Sequence, residues 1–266
     1  LQTPKYCAGR NQHNTGEPHL SRQRGAKAQT QKRVAAQMVE NTIPFNSESK
    51  QRQRRIDLIP RTRNQETLVM ALQDPATHIV VTVGPAGTGK TYLAMVAAVR
   101  ALKQGECERI VMTRPAVGVE GEQHGFLPGN LVAKMEPWTR PLLDVMREFY
   151  RPQDIVTMIE DQVVEIAPLS FMRGRNFKNS WIIADEMQNA TPAQAKMLMT
   201  RIGQNSKIVI TGDIEQADRS NGDNGLMDLC QRLRAHPVTG MEVCALEVRD
   251  IQRHKIIGDV LKLYSR

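Results

Sequence analysis

No apolar run in this 266-residue chain approaches the ~20 residues of a membrane-spanning helix, which excludes a helical membrane protein. Cysteine is also sparse. Cys7, Cys107, Cys230 and Cys244 stand far apart with no C-x-x-C pair. That spacing argues against a disulfide frame or a zinc site and fits thiols of a reducing compartment, so the cytoplasm is the expectation. Residues 1–10 hold no apolar stretch, so no secretory leader is expected, and the absent initiator Met suggests a truncated or processed start. Aromatics reach only 4% of the chain. What is present, 40% hydrophobic and 24% charged residues, excludes wholesale disorder and suffices for one large or two small cores.

Charge divides the chain unevenly. Residues 1–63 carry 13 Lys/Arg against Glu17, Glu40, Glu48 and Asp57, a net of +9, while the remainder carries −1. A Gln-, Asn- and Arg-rich leader with so little apolar surface cannot offset its ordering entropy. Residues 1–61 are therefore expected to form a basic, largely extended arm that attracts phosphate backbones through counterion release.

Residues 62–266 read as one α/β domain. His78–Val83, Arg109–Thr113, Val163–Ala167, Trp181–Ala184, Lys207–Ile210 and Met241–Leu246 are compact apolar runs separated by helical spacing. Near-continuous apolar strands of this kind belong to a mostly parallel sheet covered by helices on both faces. A helix is predicted over Lys90–Gln104, and another from an N-cap at Thr191 through Pro192 to about Ile202, closed by Gly203. Pro137 and Pro141 predict a broken helix between Asn130 and Tyr150. Asp218 to Gly225 reads as a polar loop.

Gly84-Pro85-Ala86-Gly87-Thr88-Gly89-Lys90-Thr91 fits G-x-x-x-x-G-K-[ST] between a predicted strand and a predicted helix. Glycines let the backbone wrap a phosphate and aim its N–H groups at the oxygens, and the helix start adds a positive dipole end. Lys90 is expected to reach the terminal phosphates of ATP, and the Thr91 hydroxyl to ligate Mg²⁺. Trp181-Ile182-Ile183-Ala184 then leads into Asp185-Glu186, a carboxylate pair at the end of a buried strand, where open α/β sheets place ligands. Asp185 suits a magnesium ligand and Glu186 a general base for water. A metabolite kinase has no need of that second carboxylate. Thr211-Gly212-Asp213-Ile214-Glu215-Gln216 follows another strand, and Gln216 is placed to sense the γ-phosphate. The run Arg109–Thr113 between the two motifs favours the RecA-like branch of P-loop NTPases, in which the strand ending in the carboxylates does not adjoin the P-loop strand.

Together, Gly84–Ala94, Thr113–Val117, Gly125–Leu131, Met172–Arg175, Asp185–Asn189 and Thr211–Gln216 resemble the PhoH family, phosphate-starvation-type P-loop ATPases related to superfamily-one RNA helicases. The resemblance covers about residues 62–264. It implies a RecA-like core, ATP with Mg²⁺, RNA as partner and a homo-oligomer such as a ring. It further implies that Gln65 reads adenine, that Gln188 is the Gln of the family's DE-x-Q string, and that Arg253 is an arginine finger, with Arg249 as its competitor. Arg114, Arg173 and Arg175 become candidates for RNA or subunit contacts. The PIN ribonuclease domain of longer members has no counterpart in these residues. ATP hydrolysis coupled to RNA binding or remodelling is the expected function, with an ATP-gated binding or assembly module of little turnover as the alternative. His124, between Gly121 and Gly125, reads as part of a flexible loop, Met197, Leu198 and Met199 as core, and Trp138 as a structural anchor.

Overall fold

A computed structural model describes residues 56–115, 140–217 and 224–252. Six strands form a single all-parallel sheet: β1 (Ile79–Val83), β2 (Arg109–Arg114), β3 (Val164–Pro168), β4 (Ser180–Ala184), β5 (Lys207–Gly212) and β6 (Met241–Ala245). Their spatial order is β3-β2-β4-β5-β1-β6. Each predicted apolar run became a strand, displaced by no more than two residues at either end.

The central strands β1, β4 and β5 are buried throughout, as a sheet covered on both faces requires. On one face pack α1 (Arg63–Gln73), α2 (Lys90–Gln104), helical residues 140–147 and α3 (Pro152–Glu160), around Leu68, Met95, Met146 and Ile155. On the other lie α4 (Pro192–Met199), α5 (Gly225–Ala235) and the short turn Leu169–Met172, around Met172, Met187, Leu198 and Leu226. Alternate residues of β1 supply the two cores: Val80 faces the first, Val81 and Val83 the second.

Two helix ends show how local chemistry sets the boundaries. Thr191 caps α4 by accepting from Gln194 N, while the Gln194 side chain answers the Thr191 N–H, and Pro192 occupies the first turn. The carbonyl end of α1 is met by a lysine from the start of β5, which lies beside the start of β1. Lys207 Nζ donates to the carbonyls of Leu72 at 2.7 Å, Asp74 at 2.8 Å and Ala71 at 3.4 Å, over the Trp181 ring.

Three expectations need correction. α4 stops at Met199 rather than Ile202, and Gly203 is not its closing residue: a Cβ there would stand 2.4 Å from the Phe177 carbonyl, whose oxygen accepts the Gly203 N–H. Both β2 and β3, not β2 alone, lie between the two motifs along the chain. In space it is β5 that separates β1 from β4, which is the RecA-like order. α1, α3 and α5 carried no prediction. The proline-interrupted stretch falls partly outside the described residues, as does most of the Asp218 to Gly225 loop.

Candidate nucleotide-binding site

Because the sheet is all-parallel, β1, β2, β4 and β5 deliver Gly84, Arg114, Asp185 and Asp213 to one edge, the carboxyl edge where such sheets hold ligands. The loop after β1 contains three glycines in conformations that side chains rarely adopt: Gly84 (φ 146°), Gly87 (φ 84°) and Gly89 (φ 85°). Gly89 opens α2 without any side-chain cap, so the first N–H groups of that helix face the loop interior. Thr88 is fully buried, its hydroxyl donating to Pro85 O at 2.8 Å. Lys90 Nζ folds back to donate to Gly84 O at 2.6 Å and Pro85 O at 2.8 Å. Ala86 lies within the same loop, partly exposed.

The expected magnesium pair is brought together. Thr91 Oγ1 donates to Asp185 Oδ1 at 2.9 Å, and the Thr211 hydroxyl at the end of β5 donates to the same oxygen. Two hydroxyls and a carboxylate converging from three elements make an oxygen donor set of the kind hard divalent cations prefer. Thr211 belonged to a recognised motif without a role; its position as the last hydroxyl of an apolar strand was the available signal.

Glu186 is half-buried beside Asp185 and has φ 54°, ψ 38°. A left-handed conformation at a non-glycine residue costs about 1–2 kcal/mol, and such strain concentrates at functional positions. Gln188, 1% exposed, donates from Nε2 to Glu186 Oε2 at 2.5 Å and accepts the Asp213 N–H on Oε1 at 3.1 Å. Gln216 sits exposed on the turn Ile214–Gln216, its N–H bonded to Asp213 O.

Gln65 is buried at 3% exposure, and its amide serves the chain itself. Nε2 donates to Thr88 O at 2.9 Å, and Oε1 accepts from Arg61 N at 2.8 Å. One N–H and one lone pair remain for any further partner. A second clamp lies beside it. Asp250, 1% exposed, accepts from Asn64 Nδ2 at 2.8 Å and Glu247 N at 2.7 Å, and Gln252 N donates to Gly87 O at 3.0 Å. Sequence reasoning did not find this clamp, because its two halves lie 186 residues apart. Arg249 pairs with Glu247 at 3.0 Å. Arg253 lies outside the described residues. Of the other arginines, Arg175 grips Glu165 with both guanidinium arms at 2.5 and 2.7 Å, whereas Arg173 is exposed.

A parallel sheet with a glycine-rich loop running into a helix, and a carboxylate pair on a strand two places away, defines a P-loop NTPase domain. Residues 57–265 match the family described as PhoH-like protein. A PhoH-like protein of Synechocystis sp. is 43% identical over 206 residues, which is 77% of this chain and 62% of the relative. One from Bacillus subtilis is 41% identical over 207 residues, 77% of this chain and 63% of its own. Protein PhoH of Escherichia coli is 36% identical over 206 residues, 76% of this chain and 57% of its own. The chain belongs to the PhoH family. It spans about three fifths of the length of these relatives. Among solved structures, the Pyrococcus furiosus Hef helicase domain is similar with a TM-score of 0.40 at 13% identity, over 70% of this chain and 39% of that one.

Proposed function

We propose that this domain binds ATP with Mg²⁺ and hydrolyses it in step with contacts to RNA. The observation that carries the reading is the meeting of Thr91 and Thr211 on Asp185, with strained Glu186 adjoining, at the mouth of the glycine loop. Backbone N–H groups of Gly87 to Lys90 cradle the phosphates, and Lys90 exchanges the carbonyls of Gly84 and Pro85 for terminal phosphate oxygens. Thr91 and Asp185 would hold Mg²⁺, which would neutralise charge on the phosphates. Glu186 takes a proton from the attacking water as the new oxygen–phosphorus bond forms and the bond to the ADP oxygen breaks. Gln216 reads the outcome from the neighbouring strand end.

Charge distribution supports RNA as the partner. Beyond the basic leader, residues 166–212 hold three exposed bases, Arg173, Lys178 and Lys196, and their only acids are Asp185 and Glu186. Within that stretch the turn Leu169–Met172 buries Leu169 and Met172 and leaves Phe171 58% exposed, followed by exposed Arg173. An aromatic face beside a guanidinium suits a base and its phosphate.

Steady-state phosphate release with and without single-stranded RNA tests the proposal. Turnover is expected in the wild type, stimulated by RNA, and absent in Lys90→Ala. Glu186→Gln is expected to retain ATP while failing to cleave it. Normal hydrolysis by Glu186→Gln would remove the assigned base, and a rate indifferent to RNA would remove the coupling.

A further inference from the structure

We infer that Gln188 is a positioning residue for the reaction: its buried amide holds the Glu186 carboxylate and ties it to the loop after β5 that carries Gln216. The inference rests on the reading of Glu186 as base and goes beyond it by naming what sets that carboxylate's place.

Three hydrogen bonds run in series. Gln216 N donates to Asp213 O at 3.1 Å, Asp213 N donates to Gln188 Oε1 at 3.1 Å, and Gln188 Nε2 donates to Glu186 Oε2 at 2.5 Å. The middle link is a planar amide, whose oxygen and nitrogen keep a fixed separation, so a shift imposed on one end is felt at the other. Burial removes the alternative of slipping to water, because a released amide atom would be left unpaired in the interior.

Packing limits the remaining slack. A Cβ on Gly212 would stand 2.5 Å from Gln188 Oε1 and 2.5 Å from the Leu226 side chain, so the end of β5 lies directly against the amide and leaves it no room on that side. Gly225 N donates to Ala190 O at 2.7 Å and fastens α5 to the same short turn that Glu186 opens. The amide's two roles also separate chemically. A glutamate at 188 would still accept the Asp213 N–H, but it would set a second carboxylate against Glu186 where a donor now stands.

Kinetics of Gln188→Met, Gln188→Glu, Gly212→Ala, Gln216→Ala and the double variant Gln188→Met/Gln216→Ala test the idea. Each single variant at 188 should lower kcat about tenfold or more while the Kd for a non-hydrolysable ATP analogue stays near wild type; the thermal midpoint falls as well, because Met leaves the buried Asp213 N–H unpaired and Glu buries a second carboxylate. Gly212→Ala should lower kcat in the same way by displacing the amide without altering any polar group, which covers the case of a 188 variant that fails to fold. The Gln216→Ala loss should largely vanish in the Gln188→Met background, as expected for members of one coupled unit. Wild-type turnover in Gln188→Met, or losses at 188 and 216 that multiply independently, would overturn the inference and leave the hydrolysis reading standing. Absence of phosphate release from the wild-type protein would overturn both.

Discussion

Gly84 lies so close to Leu246 that a Cβ on it would stand 2.2 Å from the Leu246 carbonyl oxygen. The contact continues a parallel ladder, since Leu246 N donates to Val83 O at 2.8 Å and β6 runs beside β1 up to the loop. The first glycine of the phosphate loop is therefore required by the neighbouring strand's exit as well as by its own φ of 146°.

Gly84→Ala must either push the segment after β6 outward or turn the loop. Overpacking of backbone against backbone, added to an unfavourable φ, is expected to cost about 3 kcal/mol. Urea unfolding measures that loss. Nucleotide affinity should fall with it, because Gln252 N, six residues beyond Leu246, is bonded to Gly87 O. Full stability with full affinity in Gly84→Ala would show that the strand exit yields freely.

Asp250 gives a pH-dependent prediction. Burial alone raises its pKa, but hydrogen bonds from Thr62, Asn64 and the Glu247 N–H, with help from Arg249, bring it below the ordinary carboxylate value. A folded-state pKa below the unfolded one means that the unfolded chain binds more protons in acid. The stabilisation is therefore present above the unfolded value of about 3.9 and is lost as pH falls through the folded value. Asp250→Ala leaves Asn64 and Glu247 N without their acceptor and is expected to cost about 1–3 kcal/mol at pH 7. In urea titrations the gap between wild type and variant should narrow below pH 4; a gap that holds steady or widens in acid would contradict the assignment.

The strands and the phosphate loop were legible because their signals are local. Val80, Val81 and Val83 alternate between two buried faces and read as one apolar run, and the glycine spacing before Lys90 carries its own backbone requirement. α1 went unread although Thr62 caps it by accepting from Gln65 N and Leu68, Val69 and Leu72 share its buried face; only its carbonyl end depends on a distant partner, Lys207 of β5. Gln65 is another matter: a lone glutamine beside a strand discloses nothing of Thr88 O or Arg61 N, its two partners in the fold. Asp185 was found from its strand, whereas the role of Thr211 follows only from the register that sets the ends of β4 and its next strand β5 side by side.

Phe171 and Arg173 offer the sharpest test of RNA contact. Their loop is held from both sides: Leu169 and Met172 are buried, and Arg175 is bound to Glu165, which also meets Arg109 at 3.6 Å. Arg175 also stacks on Phe177 with its guanidinium 4.5 Å from the ring centre, so its charge is already engaged. Phe171 and Arg173 are thus displayed on a fixed turn at the carboxyl edge, and among the described residues no carboxylate pairs with Arg173. Phe171→Ala is expected to weaken single-stranded RNA binding by about 1–3 kcal/mol, the worth of one stacked base, with little change in salt dependence. Arg173→Ala should weaken all sequences alike and reduce the slope of log K against log salt by about 1. Titration of labelled RNA at several salt concentrations separates the two signatures. Equal affinity and equal slope in both variants would move RNA off this turn, and a loss in Arg173→Ala that ignores salt would mean that the arginine acts on the fold and not on a phosphate.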